Sequence, residues 1–284
     1  MPTDIEIRIM NEEEFERSKK LWLECFPEDG EDFVALYYSN RTKPEYALGA
    51  FDGSGEPVAM LHMIPVKMRF GGSLESVCLV SGVCTKPRYR RRGYSAKLFE
   101  TAFDVMSDRG FAAAVLQPFR AGFYERFGYR FFVSRNIATV SNVMLEPHSS
   151  DCSMLPDASK LLSLYDSFSN GFSGCTARDE QYFETFIKEY SLPGAELIMT
   201  EQGCCAGYAE DGGEVFSATE LFFVTGCDPL SLLPKGYSSY KLPFPTVFSL
   251  PESFNVKTER FLMIKPLAAD LDLGEGPFYG FDRY

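Results

Sequence analysis

The spacing of hydrophobic positions along the chain changes several times, and each change marks an element. Ile5, Ile7 and Ile9 alternate with polar residues, as in a half-buried strand. Asn11 followed three residues later by Glu14 is a capping box that predicts a helix through Leu23. Cys25-Phe26-Pro27-Glu28-Asp29-Gly30 breaks that pattern, and Asp32 to Tyr38 predicts a second, shorter helix. Tyr46 to Phe51 reads as a strand and Asp52-Gly53-Ser54-Gly55 as a hairpin turn. A long strand over Pro57 to Phe70 follows, with Pro65 predicting a bulge or an edge position. After Gly71-Gly72 the chain returns along Leu74 to Thr85.

The next stretch, Val83 to Leu98, reads VCTKPRYRRRGYSAKL. A β-type run meets Pro87, three arginines and Gly93, and then a helical pattern takes over with Ala96, Leu98, Phe99, Ala102, Phe103 and Met106. A strand that stops where a helix starts leaves backbone N–H groups without intrahelical partners, and with the helix dipole they suit a phosphate. Gly93 removes the side chain where backbone must approach a ligand, and Arg90, Arg91 and Arg92 surround it with positive charge. The expected ligand is a pyrophosphate. The helix runs to about Arg109, Gly110 stops it, and Phe111 to Leu116 is a buried strand. Alternation from Arg130 to Met144 is expected to complete the first sheet, with Glu146 to Asp151 as a linker.

The second half repeats the opening. Leu155 to Phe168 carries helical spacing, Ala177-Arg178-Asp179-Glu180 opens a second helix to about Tyr190, and Glu196 to Thr200, Cys204 to Ala209 and Glu214 to Phe223 read as short strands. Phe261 to Ile264 is a further strand, and an aromatic tail runs from Phe278 to Tyr284.

Two of these segments resemble a known family. Arg90-Arg91-Arg92-Gly93-Tyr94-Ser95 is similar to the R-x-x-G-x-G/A acyl-coenzyme A signature of the GNAT acetyltransferases, with Ser95 at the last position and Ala96 after it. Gly122-Phe123-Tyr124-Glu125-Arg126-Phe127-Gly128-Tyr129 resembles the family's F-Y-x-x-x-G-[FY] segment, especially the form found in its enhanced-intracellular-survival (Eis) branch. The resemblance implies an α/β fold: a GNAT domain with a mixed twisted sheet over 1–146, a degenerate GNAT-like domain over 147–250 and a C-terminal extension over 251–284, too short for a full sterol-carrier-like third domain. In the second domain, Arg178-Asp179-Glu180 and Gly207-Tyr208-Ala209 carry the likeness, and no R-x-x-G-x-G/A run is present.

The implied cosubstrate is acetyl-CoA. By resemblance its pantetheine arm lies between Val83-Cys84-Thr85 and Leu116 to Phe119, with Phe119 and Arg120 touching the cofactor. Tyr124 matches the tyrosine that protonates the departing sulfur; a phenol, with a pKa of about 10, is a sensible donor to a thiolate. Eis-type proteins use a C-terminal carboxylate on an aromatic residue as base, which implies that Tyr284 reaches the first domain near Tyr124. Two other residues have open readings: His62 as a base or as a satisfied structural histidine, and Glu220 as a cleft residue of the second domain.

Composition narrows the function classes. A net charge of −12 over 284 residues argues against a nucleic-acid partner and is compatible with a cationic acceptor or with solubility alone. No apolar run long enough for a membrane span and no signal-peptide pattern occur, so a cytoplasmic protein without a membrane partner is expected. Eight scattered cysteines and two histidines show no metal-ligand spacing, and no metal is predicted. The expected activity is acetyl-CoA-dependent N-acetyltransfer to a primary amine, a small molecule or a peptide, by direct ternary-complex transfer. The alternatives are a non-catalytic acyl-CoA-binding regulatory module and an aminoacyltransferase on tandem GNAT-like domains. The oligomeric state is open, a homo-oligomer included.

Overall fold

Strand β1 (Glu6–Ile9) leads into α1 (Glu12–Cys25), whose start is fixed by the expected capping box. Asn11 Oδ1 accepts from the Glu14 amide at 2.9 Å, and Glu14 Oε2 accepts from the Asn11 amide at 3.0 Å. Helix α2 (Gly30–Asn40), strands β2 (Ala47–Phe51), β3 (Pro57–Phe70) and β4 (Ser73–Thr85), and helix α3 (Tyr94–Asp108) follow. Strand β5 (Ala113–Leu116), the short α4 (Ala121–Glu125) and β6 (Arg130–Ser141) close the first half. The computed structural model describes residues 5–144 and 154–280; the expected linker at Glu146 to Asp151 and residues Phe281 to Tyr284 lie outside them.

The second half supplies α5 (Ala158–Ser169), β7 (Thr176–Ala177), α6 (Glu180–Glu189), β8 (Ala195–Met199), β9 (Gly203–Glu210), β10 (Val215–Phe223), β11 (Ser239–Pro245) and β12 (Asn255–Pro266). Among the described residues one mixed sheet runs in the order β1-β2-β3-β4-β5-β12-β6-β11-β10-β9-β8, with β7 pairing beside β3. Helices α1 and α2 cover one face of its first half, burying Phe15, Leu21, Trp22, Val34, Tyr37 and Tyr38 against Met60, Ile64, Met68 and Leu79. Helix α3 covers the other, where Leu98, Phe99, Ala102 and Met106 meet Leu48, Leu61, Met63 and Val80. Each leucine, isoleucine, valine, methionine or phenylalanine among them, fully buried, contributes about 1.5–3 kcal/mol. Helices α5 and α6 cover β9 and β10 in the same way.

Three strands were not foreseen as they stand: β7 takes Ala177, expected to open the second helix, into a short ladder with β3. β11 contains Pro243 and Pro245, and β12 extends six residues before the expected Phe261. β12 lies between β5 and β6, antiparallel to both, so β6 does not complete the first sheet by itself; the segment after residue 250 does. Pro65 sits past the end of the β2 ladder at His62 and before the β7 contact at Lys67, where β3 has β4 alone as its neighbour.

The two halves share a device. In β4, three residues pair in parallel with β5 before the two part, and beyond them Gly82 and Val83 bulge out of the ladder with β3 opposite Leu61. In β10, the ladder with β9 slips at Thr219, and β10 pairs in parallel with β11, again for three residues. The connection after β10 carries a 3-10 turn over Pro229–Leu232 in place of an arginine–glycine loop and long helix.

Candidate active site

The site begins with the parting of β4 and β5. Their ladder ends at Leu79 opposite Val115, while β4 continues to Thr85 without β5 beside it. This opening needs the bulge, and the bulge needs Gly82: its φ is +58°, and a Cβ there would stand 2.6 Å from the Trp22 ring. Past the opening, Arg91 (φ 64°) and Gly93 (φ 82°) both take left-handed backbone, a geometry that turns successive N–H groups into one concavity. Gly93 makes no side-chain cap to α3, and the Lys97 amide donates to the Gly93 carbonyl at 3.2 Å, opening the helical ladder. The N–H groups of Tyr94, Ser95 and Ala96 therefore precede the helical ladder and face outward from its start.

Side chains brace this loop. Arg90 Nε donates to the Thr85 carbonyl at 3.0 Å, and the Thr85 and Ser95 hydroxyls are 3.1 Å apart. Tyr89 donates to Asp52 at 2.6 Å, while the Arg88 and Arg92 guanidiniums lie 5.0 and 5.4 Å from its ring centre. Hydrogen bonds from Ser54 and then Tyr89 hold the Asp52 carboxyl at about 2. Arg90, Arg91, Arg92 and Gly93 are exposed, and no described atom lies within 4 Å of a Cβ built on Gly93. The loop is therefore a braced, cationic, uncapped helix start with open space before it, which is what a pyrophosphate needs.

Of the other expected cofactor residues, Val83 packs partly buried on the α3 side. Cys84 points the opposite way, into the core under α1, so its side chain cannot line the opening and only its backbone can. Phe119 is 95% exposed just beyond β5, and Arg120 is exposed at the start of α4, where its carbonyl accepts from the Phe123 amide at 3.0 Å.

Tyr124 sits on α4 among Phe99, Phe123 and Tyr129, with ring centres 5.9, 5.0 and 6.1 Å away, in the core that also holds Leu116 and Val80. Its ring is buried, yet its hydroxyl has no hydrogen-bond partner among the described residues and is not sealed from solvent. Burial raises the phenol's pKa, which keeps the proton on it. Tyr284, the other expected catalytic residue, lies outside the described residues.

A cavity of about 660 Å³ is lined by residues of both halves. Gly82, on the β4 bulge, and Gln117, directly after β5, are among its lining residues, so it touches both lips of the parting strands. One wall is Trp22, Phe26, Phe33 and the run Glu28, Asp29, Glu31, Asp32; the other is Tyr182, Phe186, Glu189, Tyr190, Tyr208, Thr219 and Glu220 of the second half. Arg41 contributes a cation, but it is paired with Glu189 at 3.0 Å and lies 4.3 Å from the Tyr182 ring centre. Glu189 and Glu220 are ion-paired, so the four carboxylates of the Glu28–Asp32 run are what leave an acidic pocket with aromatic walls.

Asp29 is the most enclosed carboxylate of the Glu28–Asp32 run. It accepts from Trp22 Nε1 at 2.6 Å, and burial raises its pKa against the pull of that bond. Glu220 lines the cavity as expected, but it forms a buried bidentate pair with Arg178 at 2.6 and 2.8 Å, which fixes it as a charged structural strut. His62 does not reach the cavity. It is fully buried beneath Trp22, its Nδ1 is 3.2 Å from the Tyr37 hydroxyl, which also bonds to Ser81, and burial pushes its pKa down to about 3. Its place away from the cavity fits a structural histidine, though not a fully satisfied one, since Nε2 is buried with no partner among the described residues.

Comparison with known proteins decides what this geometry belongs to. Residues 6–132 match the family model of the acetyltransferase (GNAT) domain. That part of the chain is a GNAT acetyltransferase domain. No curated protein matches the chain. Solved structures do. Eis1 from Mycobacterium abscessus aligns with a TM-score of 0.69 at 18% identity, covering 93% of this chain and 74% of that one. A probable N-acyltransferase from Enterococcus faecalis V583 aligns with a TM-score of 0.72 at 13% identity, over 93% of this chain and 73% of its own. A GCN5-related N-acetyltransferase from Anabaena variabilis gives 0.71 at 13%, with the same coverage. The shared fold spans both halves of the chain, in keeping with the Eis-like resemblance, and the GNAT domain makes the chain an acyltransferase. Among the described residues no group of three or more His, Cys, Asp or Glu is placed to hold a metal, and no helix is long and apolar enough to cross a membrane.

Proposed function

We propose that the chain transfers an acetyl group from acetyl-CoA to a primary amine bound in the acidic cavity, both substrates being present together. The observation that carries this reading is that the cavity is lined by Gly82 and Gln117, which flank the place where β4 and β5 part. The pyrophosphate lies at the start of α3 on Arg90, Arg91, Arg92, Gly93, Tyr94, Ser95 and Ala96, and the pantetheine runs between Val83–Thr85 and the chain after Leu116. The unit 1–146 handles the coenzyme, and the unit 147–250 supplies the far wall of the acceptor cavity.

An alkylamine with a pKa of about 10.4 arrives as an ammonium ion. Carboxylates at Glu28, Asp29, Glu31 and Asp32 attract it, and the aromatic rings of Trp22, Phe26 and Tyr208 hold its carbon body. The neutral amine attacks the thioester carbonyl, and Tyr124 gives its proton to the departing sulfur. The ammonium proton goes to the carboxylate of Tyr284. What supports that assignment is the segment before it: Tyr279 is fully buried against Phe168 and Phe172 and bonded through its backbone to Ser173.

The test is a broad panel of amines with acetyl-CoA, followed by mass measurement of the products. Coenzyme A release with an acceptor gaining one acetyl group is expected. Tight acetyl-CoA binding with no transfer to any amine would instead favour the non-catalytic binding module.

A further inference from the structure

The loop between β4 and α3 is held in a shape that its own backbone disfavours. Arg91 takes a φ of 64°, and outside glycine that left-handed conformation is strained and persists only where the surroundings fix it. Packing does not fix it, because Arg88, Arg90, Arg91, Arg92 and Gly93 are all exposed. Among the described residues, one side-chain hydrogen bond ties residues 86–93 to a separate part of the fold: the Tyr89 hydroxyl donates to Asp52 Oδ2 at 2.6 Å. The bond from Arg90 to the Thr85 carbonyl stays at the end of β4 itself.

The anchor is a rigid one. Asp52 opens the turn between β2 and β3, where its amide donates to the Glu56 carbonyl at 3.1 Å and its carbonyl accepts from the Gly55 amide at 2.8 Å. Its other carboxylate oxygen, Oδ1, accepts from the Ser54 amide at 3.0 Å and the Ser54 hydroxyl at 2.5 Å. Helix α1 fastens the same turn through Arg17, which donates to Glu56 at 2.9 Å. One carboxylate thus closes the turn with one oxygen and holds the coenzyme loop with the other. On the loop side, the Tyr89 ring centre is 6.2 Å from that of Tyr94, the first residue of α3, and the Arg88 and Arg92 guanidiniums lie 5.0 and 5.4 Å from it. Fixing Tyr89 therefore fixes two of the loop's cations and the residue that begins the helix.

Charge alone gives no reason for an aspartate here. A carboxylate beside a pyrophosphate site repels the ligand, so an Asp52 acting through its charge would only weaken binding. We propose that Asp52 and Tyr89 are positioning residues for the coenzyme: the bond between them clamps the arginine–glycine loop to the β2–β3 turn and holds it in its phosphate-binding shape before the ligand arrives. Such preorganisation is read as affinity, because the loop is not left to be ordered on binding. The proposal rests on the coenzyme site of the acetyl-transfer reading and is independent of which amine is the acceptor.

The experiment is calorimetry on the full-length chain with coenzyme A and with pantetheine, which lacks the pyrophosphate. Tyr89→Phe deletes one hydroxyl and keeps the ring. It should weaken coenzyme A binding roughly tenfold, in the range for a hydrogen bond to a charged group, and leave pantetheine binding unchanged. Asp52→Ala should weaken coenzyme A binding at least as much although it removes a negative charge, and the double variant should be no weaker than Asp52→Ala alone, a non-additivity that marks the two residues as one unit. Near-ultraviolet circular dichroism confirms that each variant folds. Coenzyme A bound as tightly by Tyr89→Phe as by the wild type overturns the proposal, as does tighter binding by Asp52→Ala or an equal loss with pantetheine. A wild-type chain that does not bind coenzyme A fails the acetyl-transfer reading and takes the proposal with it, whereas a wild type that binds and variants that match it fail the proposal alone.

Discussion

Tyr124 presents a buried ring and a hydroxyl with no described protein partner, so replacing it with phenylalanine removes one atom and leaves the packing against Phe99, Phe123 and Tyr129 in place. Tyr124→Phe should lower kcat by about 10²-fold or more, in the range for loss of a general acid, while calorimetry finds acetyl-CoA affinity unchanged. Because burial raises this phenol, the protonated donor persists above pH 10, and the rate should show no Tyr124-dependent fall below that pH. An equal loss of affinity and rate would make Tyr124 a packing residue. Tyr124 was legible because its neighbours form a motif, whereas Asp29 was not: it sits in a short break between helices. The weak signal there was the acidic run Glu28, Asp29, Glu31, Asp32 directly after a helix that carries the chain's one tryptophan. His62 was ambiguous for a physical reason, since strand alternation cannot say whether a histidine faces a cleft or lies beneath an indole.

Elements carry the next two expectations. The junction of β4 and α3 depends on Gly93, whose φ of +82° strains any branched residue by about 1–3 kcal/mol, and whose Cβ would project into space that the described chain leaves open. Gly93→Val should therefore fold, since no described atom opposes the new side chain, yet bind acetyl-CoA roughly a hundredfold more weakly by calorimetry; near-normal affinity in the folded variant would remove the loop from the pyrophosphate site. The start of α1 makes a different test. Bonds from Arg8 at 2.6 and 2.7 Å, and then the Asn11 amide, bring the Glu14 carboxyl from 4.5 to about 2. Folding favours the ionised form, so this stabilisation is complete above pH 4.5 and is lost as pH falls toward 2. Glu14→Gln should cost about 1–3 kcal/mol in urea unfolding at neutral pH and flatten the acid side of the stability curve. Such caps and turns were readable because their signals are local. β11 was missed because Pro243 and Pro245 argue against a strand, but they fall where the ladder with β10 has already ended at Lys241 and β6 is the paired neighbour. The first half of β12 was missed because it is exposed on both faces and shows no alternation in burial.

At the scale of the whole molecule, the order of strands in the sheet is not the order of the chain. Leu262, Met263 and Ile264 are at most 1% exposed, and they stand between β5 and β6 of a GNAT domain whose own sequence ended more than a hundred residues earlier. No local pattern announces such an insertion, because a strand's period tells which face is buried and not which neighbours it will find. The insertion makes the second half part of the first half's framework: without β12, β5 and β6 would lose their shared ladder and expose Val115, Val133 and Leu116. A chain ending at Leu250 should therefore lose near-ultraviolet circular dichroism and amide-exchange protection throughout β5 and β6, not in the second half alone. A chain ending at Gly280 keeps β12, and with it Tyr279 packed against Phe168 and Phe172, so it should retain the full protection pattern and acetyl-CoA affinity. If Tyr284 takes the acceptor's proton, that same shorter chain should turn over at least tenfold more slowly, so one pair of truncations separates the segment's part in folding from its part in catalysis.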